Sequence, residues 1–284
     1  MPRMSARRNF VKMHGLGNDF VVVDARVEPF APSAAQVRVI ADRRRGVGCD
    51  QLVVIEPPQG EVADVFMRIF NADGGQVSTC GNAARCVAAR FMAEREGSDP
   101  VRIETRAGVI TAWPSGDGRI SVDMGPARTA WDAIPLAERA DTLHLDLGLT
   151  GVPEVAAVNV GNPHAVAFVA DAEAVALESL GPRVEHHAIF PERANASFAT
   201  VLDAETISLR VWERGAGVTR ACGTAACAVC VAGVRRGLTE RAVTVHLDGG
   251  PLELAWRESD GHVIKTGPAA VSFTGQFDEI AIAA

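Results

Sequence analysis

Lysine is nearly absent from this 284-residue chain: Lys12 and Lys265 are the only two, and every other cationic side chain is arginine. A pyridoxal enzyme holds its cofactor as a Schiff base on lysine, so that class is left with two thinly supported candidates. Positive charge is also outweighed. The 28 Lys and Arg face 35 Asp and Glu, for a formal net charge of −7. Neutralising a phosphate backbone needs clustered cations, so the balance argues against nucleic acid as a partner, and an anionic membrane surface fits no better. No apolar run is long enough to cross a bilayer. The first ten residues, Met1 to Phe10, are charged and lack the apolar core of a secretory signal. The expected location is therefore the cytoplasm, where thiols stay reduced. On that footing Cys49, Cys80, Cys86, Cys222, Cys227 and Cys230 are read as free thiols, ligands or nucleophiles before disulfides.

What the chain does have is a message written twice. Cys80-Gly-Asn-Ala-Ala84 matches Cys222-Gly-Thr-Ala-Ala226 at an offset of 222 − 80 = 142, half the chain length. Asn71-Ala-Asp-Gly-Gly75 stands opposite Glu213-Arg-Gly-Ala-Gly217 at the same offset, as Met124-Gly-Pro-Ala127 does opposite Thr266-Gly-Pro-Ala269. Gly17-Asn-Asp-Phe20 pairs with Gly161-Asn-Pro-His164 two residues further out of register, as loop changes would cause. Matches in one order at nearly one offset indicate two homologous halves. The Gly-Pro-Ala punctuation divides them into residues 1–125 and 126–269, and the remaining 270–284 is expected to return to the first half's sheet.

Each half carries short β-branched or alternating runs. In the first these are Phe20–Asp24, Gln51–Glu56, Asp64–Phe70, Val101–Thr105 and Arg119–Asp123. In the second they are Ala165–Val169, Thr206–Trp212, Ala242–Leu247 and His262–Lys265. Asp-Gly and Gly-Gly turns between them favour mixed or antiparallel sheet. Helices are expected from about Asn82 to Glu96, stopped by Gly97, and from about Thr224 to Arg236, stopped by Gly237; a third is expected over Ser33–Arg45. The fold class is α/β (α+β): two pseudo-symmetric domains, each a mixed sheet wrapped around a central helix, with the active site in the cleft between them.

Each central helix has a cysteine just ahead of its first turn. Unpaired N–H groups and the positive dipole end favour a thiolate there and also bind a carboxylate. Two such sites related by a repeat suit inversion of a stereocentre. One thiolate removes a proton, and the other sulfur, still a thiol, returns one to the opposite face.

The residues Met13-His-Gly-Leu-Gly-Asn-Asp-Phe20, Arg68-Ile-Phe-Asn-Ala-Asp-Gly74, Cys80-Gly-Asn-Ala-Ala-Arg85, Gly161-Asn-Pro-His164, Pro191-Glu-Arg193, Glu213-Arg-Gly-Ala-Gly217 and Cys222-Gly-Thr224 span nearly the whole chain. In that order the sequence resembles the diaminopimelate epimerase family. The resemblance implies a cytoplasmic homodimer that acts without a cofactor or metal. Its substrate would be a small amino acid, LL- or meso-diaminopimelate, on the route to lysine and the cell wall. It implies that Cys80 and Cys222 are the acid–base pair and that His164 and Glu213 help set their protonation. It also implies substrate contacts at Asn18, Gln51, Asn71, Gly81, Asn82, Asn162, Asn195, Glu213, Arg214, Gly223 and Thr224. The sequence departs from the family at Gly75, where Ser is common, and at Ala83 and Ala225, where Gly is common.

Plainer readings stand beside these. Cys49, Cys86, Cys227 and Cys230 suit buried packing, although Cys227 and Cys230 form a C-x-x-C that zinc or redox proteins use. His186 and His187 suit a solvated or capping role. Arg43-Arg44-Arg45 suits a solvated helix end, and the four asparagines at 18, 71, 162 and 195 suit turns. Three rivals remain: a proline or hydroxyproline racemase of the same architecture, a related isomerase without thiol chemistry, and a zinc or thiol-redox binding protein.

Overall fold

A computed structural model describes residues 7–95 and 99–279. The chain divides by its contacts into two units. One runs to Val122 and resumes at Gly267; the other is Asp123–Thr266.

In the first unit β1 (Arg7–Gly15) and β2 (Asn18–Asp24) form an antiparallel hairpin with Gly15 opposite Asn18. Leu16 and Gly17 close it at φ 56° and 83°, the left-handed pair that matches strand twist in a two-residue hairpin. A parallel neighbour needs a crossover, and α1 (Ala34–Ala41) lies in the one leading to β3 (Gln51–Glu56), parallel to β2. β4 (Val65–Asn71) returns antiparallel to β3, and the short β5 (Gln76–Val77) folds back on β4. The chain then enters α2 (Gly81–Arg95) and emerges in β6 (Val101–Thr105), parallel to β4. β7 (Gly108–Pro114) and the start of β8 (Ile120–Pro126) complete an antiparallel meander.

Val21, Val23, Leu52 and Val54 pack with Val37 and Ile40 of α1 on one face of this sheet. Their alternating neighbours Phe20, Val22 and Val53 are just as buried, and α2 meets β1, β2, β6 and β7. Burial on both faces explains why these strands read as unbroken apolar runs. Each such side chain contributes about 1.5–3 kcal/mol.

The second unit repeats the order. β9 (Val155–Asn159) and β10 (Pro163–Phe168) are antiparallel, and α3 (Leu177–Glu185) lies in the crossover to β11 (Asn195–Asp203), parallel to β10. β12 (Thr206–Glu213) and β13 (Gly217–Val218) lead into α4 (Gly223–Arg235), and β14 (Ala242–Leu247) lies parallel to β12. β15 (Gly250–Trp256) and β16 (His262–Gly267) close the meander. The two central helices start at 81 and 223, an offset of 223 − 81 = 142. The last strand, β17 (Ala270–Asp278), rejoins the first unit antiparallel to β1.

Four points of the sequence reading need correction or limits. The helix expected over Ser33–Arg45 stops at Ala41. The Asp42 carboxylate accepts the N–H groups of Arg44 and Arg45 at 2.8 and 2.9 Å, a local turn that competes with helix. Arg43 is not simply solvated: its guanidinium grips Asp19 at 2.9 and 2.7 Å and Asp50 at 2.8 Å. And α3 has no counterpart among the sequence expectations; Gly181-Pro182 sits inside it, where both residues disfavour helix. The glycine is required there, since a Cβ would lie 2.4 Å from the Trp212 ring. The end of the first central helix at Glu96-Gly97 and the chain beyond Glu279 lie outside the described residues.

Candidate active site

In the first unit three amides stand at one end of three adjacent strands. Asn18 opens β2, Gln51 opens β3 opposite Phe20, and Asn71 closes β4 opposite Gln51. Gln51 donates to Asn71 at 2.9 Å, and Asn82, on the first turn of α2, donates to Asn18 Oδ1 at 3.1 Å. Asn18 in turn donates to Asp50 at 3.0 Å. Behind it, Lys12 pairs with Asp19 at 2.6 Å and donates to the Gly48 carbonyl. Burial raises the Asp19 pKa, yet the hydrogen bonds from Arg43 and Lys12 prevail and hold this carboxyl well below its usual range. Cys80 is half-buried, and its carbonyl accepts Ala84 N–H at 2.9 Å, so it caps α2. The buried Gln51 Oε1, Asn82 Oδ1 and Thr79 Oγ1 have no hydrogen-bond partner among the described residues. Buried acceptors left open cost about 1–3 kcal/mol each, so these atoms are ready for a donor such as an ammonium group.

In the second unit Cys222 caps α4 in extended conformation, and its carbonyl accepts Ala226 N–H at 3.1 Å. A lowered thiol pKa was the expectation from the helix start, and the structure reverses it. Burial pushes the Cys222 thiol well above its ordinary value, and the Glu213 carboxylate pushes the same way; Thr224 Oγ1 at 3.5 Å and Ala225 N–H oppose them and lose. Thr219 donates to Glu213 Oε1.

His164, the second residue of β10, lies beside Asn195 of β11. Its Nε2 meets Asn162 Oδ1 at 2.9 Å and Asn195 Nδ2 at 3.4 Å, while its buried Nδ1 has no hydrogen-bond partner among the described residues. Burial, helped by the Arg214 cation, pushes this imidazole down to about 3, so it is neutral at physiological pH. Asn195 is 2% exposed. It donates to Pro163 O at 3.1 Å and accepts Arg214 N–H at 2.9 Å, and the Arg214 guanidinium donates to Glu192 O at 2.7 Å. The expected site residues of this half thus gather at the ends of β10, β11 and β12 and the start of α4. Gly81 in one unit and Gly223 in the other are the first residues of their helices.

The other four cysteines are buried. Burial pushes Cys49 up to about 11 and Cys86 and Cys230 up to about 12. Cys227 and Cys230 lie inside α4, with Cys230 Sγ 3.8 Å from Arg241 O. His186 caps α3, its Nδ1 3.0 Å from Pro182 O. Sequence reasoning passed over Asp50, Thr219 and Glu185. Each acts through a residue distant in sequence or through a single hydroxyl, and no local pattern marks them.

The family model described as diaminopimelate epimerase matches residues 10–130 and 156–272 of the chain. The diaminopimelate epimerase of Rhodospirillum centenum is 53% identical over 272 residues, covering 96% of this chain and 93% of the relative. That of Phenylobacterium zucineum is 54% identical over 273 residues, covering 95% and 97%. Among solved structures, a hydroxyproline epimerase from Agrobacterium vitis matches with a TM-score of 0.70 at 14% identity, covering 98% of this chain and 94% of that one. A PhzF-family phenazine biosynthesis protein from Bacillus anthracis matches at 0.67 and 15%, covering 96% and 99%. Likeness at such identities shows the shared fold alone.

Proposed function

Because the chain belongs to the diaminopimelate epimerase family, we propose that Cys80 and Cys222 are its acid–base pair and act on opposite faces of one α-carbon. The protein is a pyridoxal-independent isomerase that interconverts LL- and meso-diaminopimelate, a step toward lysine and peptidoglycan precursors. Identities near 53% to diaminopimelate epimerases, against 14% to a hydroxyproline epimerase, separate it from the imino-acid racemases.

One observation carries the assignment: Cys80 and Cys222 alone among the six cysteines cap helices, and the two helices, α2 and α4, hold equivalent places in repeated topologies. In the forward step one thiolate takes the α-proton, breaking C–H and forming S–H. The other thiol gives its proton to the opposite face of the carbanion. Cys222 enters as the acid, because burial and Glu213 keep its proton on. First-turn N–H groups at Gly81-Asn82 and Gly223-Thr224 hold the reacting carboxylate and the charge that develops on it. The open acceptors at Gln51 and Asn82 suit an ammonium, and Glu213, Arg214, Asn162 and Asn195 complete the contacts, Asn195 mainly by fixing Arg214 and Pro163. His164 is buried and neutral, so it brings no second cation to the Arg214 neighbourhood. The two units, one per cysteine, are the two homologous domains, and the protein works as a homodimer in the cytoplasm. Among the described residues no helix is long and apolar enough to cross a membrane.

The test is solvent-deuterium incorporation at the α-carbon of LL-diaminopimelate with no cofactor added. Cys80→Ala and Cys222→Ala should each lower epimerisation by roughly a hundredfold to ten-thousandfold, the usual worth of a positioned acid or base. Full activity in either variant would overturn the assignment.

A further inference from the structure

The last residue of α3 is a buried carboxylate that the reaction as derived does not use. Glu185 is 3% exposed. Its Oε2 accepts the Trp212 indole N–H at 2.7 Å, and its Oε1 accepts the backbone N–H of Gly215 at 3.0 Å. Arg193 Nη1 stands 3.8 Å from it and His186 Nδ1 4.0 Å. A carboxylate withdrawn from water persists when its oxygens are met by donors, and here each oxygen has one.

The two donors bracket the pair Glu213-Arg214. Successive side chains of a strand point to opposite faces, so Trp212 reaches toward α3 while Glu213 reaches the other way, to Cys222. Gly181, one turn before Glu185, leaves the space that the Trp212 ring fills. Glu185 therefore grips the strand end before Glu213 and the turn after it, and Asn195 Oδ1 holds Arg214 N–H between those two points. We infer that Glu185 is a positioning residue of the epimerase, clamping Trp212 and Gly215 so that the Glu213 carboxylate stays against the Cys222 sulfur. The inference rests on the role given to Glu213 above. A displacement near 1 Å at a reacting group is enough to slow catalysis substantially.

Glu185→Gln keeps the size and removes the charge. Its amide offers a single acceptor oxygen, so either the indole N–H or the Gly215 N–H must face an NH₂ group. The groups that meet Cys222 Sγ are Glu213 from β12 and Thr224 and Ala225 N–H from α4; His164 of β10 is neutral. Withdrawing Glu213 should let the thiolate form at lower pH. The experiment follows the pH dependence of Cys222 alkylation by iodoacetamide, read by peptide mass spectrometry on the full chain, together with kcat. In Glu185→Gln the alkylation midpoint should move to lower pH and kcat should fall about tenfold, equivalent to about 1.4 kcal/mol in the barrier. Glu213→Gln should move the midpoint the same way, and the double variant no further than Glu213→Gln alone, because both changes act through one carboxylate. If Glu185→Gln does not fold, Trp212→Phe, which deletes one of the two donors, should give the same direction with a smaller shift. A shift in Glu213→Gln without one in Glu185→Gln or Trp212→Phe overturns the inference and leaves the role of Glu213 standing. No shift in Glu213→Gln overturns that role and the inference with it.

Discussion

His164 illustrates how one buried side chain ties function to stability. Its imidazole is fully enclosed, with a ring nitrogen bonded to Asn162 and Arg214 close enough to disfavour a second charge. The folded pKa of about 3 lies below the ordinary 6.5. The unfolded chain therefore binds a proton between those values that the folded chain refuses. The resulting stability is complete above pH 6.5 and is lost progressively as pH falls toward 3. The slope from this one group approaches about 1.4 kcal/mol per pH unit. Denaturant midpoints measured from pH 7 to pH 4 should fall more steeply for the natural chain than for His164→Gln; parallel curves would mean the imidazole is not buried neutral. The same reasoning explains why Cys222 does not behave as an isolated helix-start thiol. The chain contains no tyrosine, so no phenol competes for the acid–base role proposed for the two sulfurs.

At the scale of elements, β17 shows how much one strand contributes. It lies antiparallel along β1 from Arg7 to His14, and the Phe10 ring meets Phe273 and Phe277 at 6.0 and 5.9 Å between centroids. Arg8 Nε donates to Glu279 at 2.6 Å. Ending the chain after Ala269 should uncover Phe10, at about 1.5–3 kcal/mol for a side chain of that size, and strip β1 of one hydrogen-bonding neighbour. Hydrogen exchange read by mass spectrometry should then show loss of protection in β1 and β2, with β10 to β12 unchanged. Unchanged protection in β1 would show that the strand is held by the β2 hairpin alone. The helices carry a matching lesson. α1 begins at a capping box in which Ser33 and Gln36 satisfy each other's backbone N–H groups, a pattern that reads directly from sequence. α3 instead depends on Trp212, 31 residues beyond Gly181 (212 − 181 = 31).

For the whole molecule, the repeat assigns one helix-capping cysteine to each unit. The position of Asn71 in the first unit is taken by Glu213 in the second, an amide against a carboxylate, at an offset of 213 − 71 = 142. Under the proposed acid–base roles, the carboxylate that favours the protonated Cys222 thiol thus has only an amide as its counterpart in the first unit. The proposed homodimer is checked by sedimentation, where a mass near twice the 29.9 kDa chain is expected. A single-chain mass with full activity would remove the dimer from the account.

Sequence alone determined the doubling, the two capping cysteines, most strands and both central helices, because each rests on local signals: a repeated motif, β-branched runs, or a helix stop. Asn18, Asn71 and Asn162 are also legible as motif positions, while Gln51 and Asn195 enter only through the family resemblance. Only the tertiary structure brings out what opposes ionisation of Cys222, where burial and Glu213 outweigh the helix start. The same is true of the grip of Arg43 on Asp19 and Asp50, the existence of α3, and the place of Glu185 behind Glu213. These depend on desolvation and on partners tens of residues away, and neither quantity is carried by any short stretch of chain.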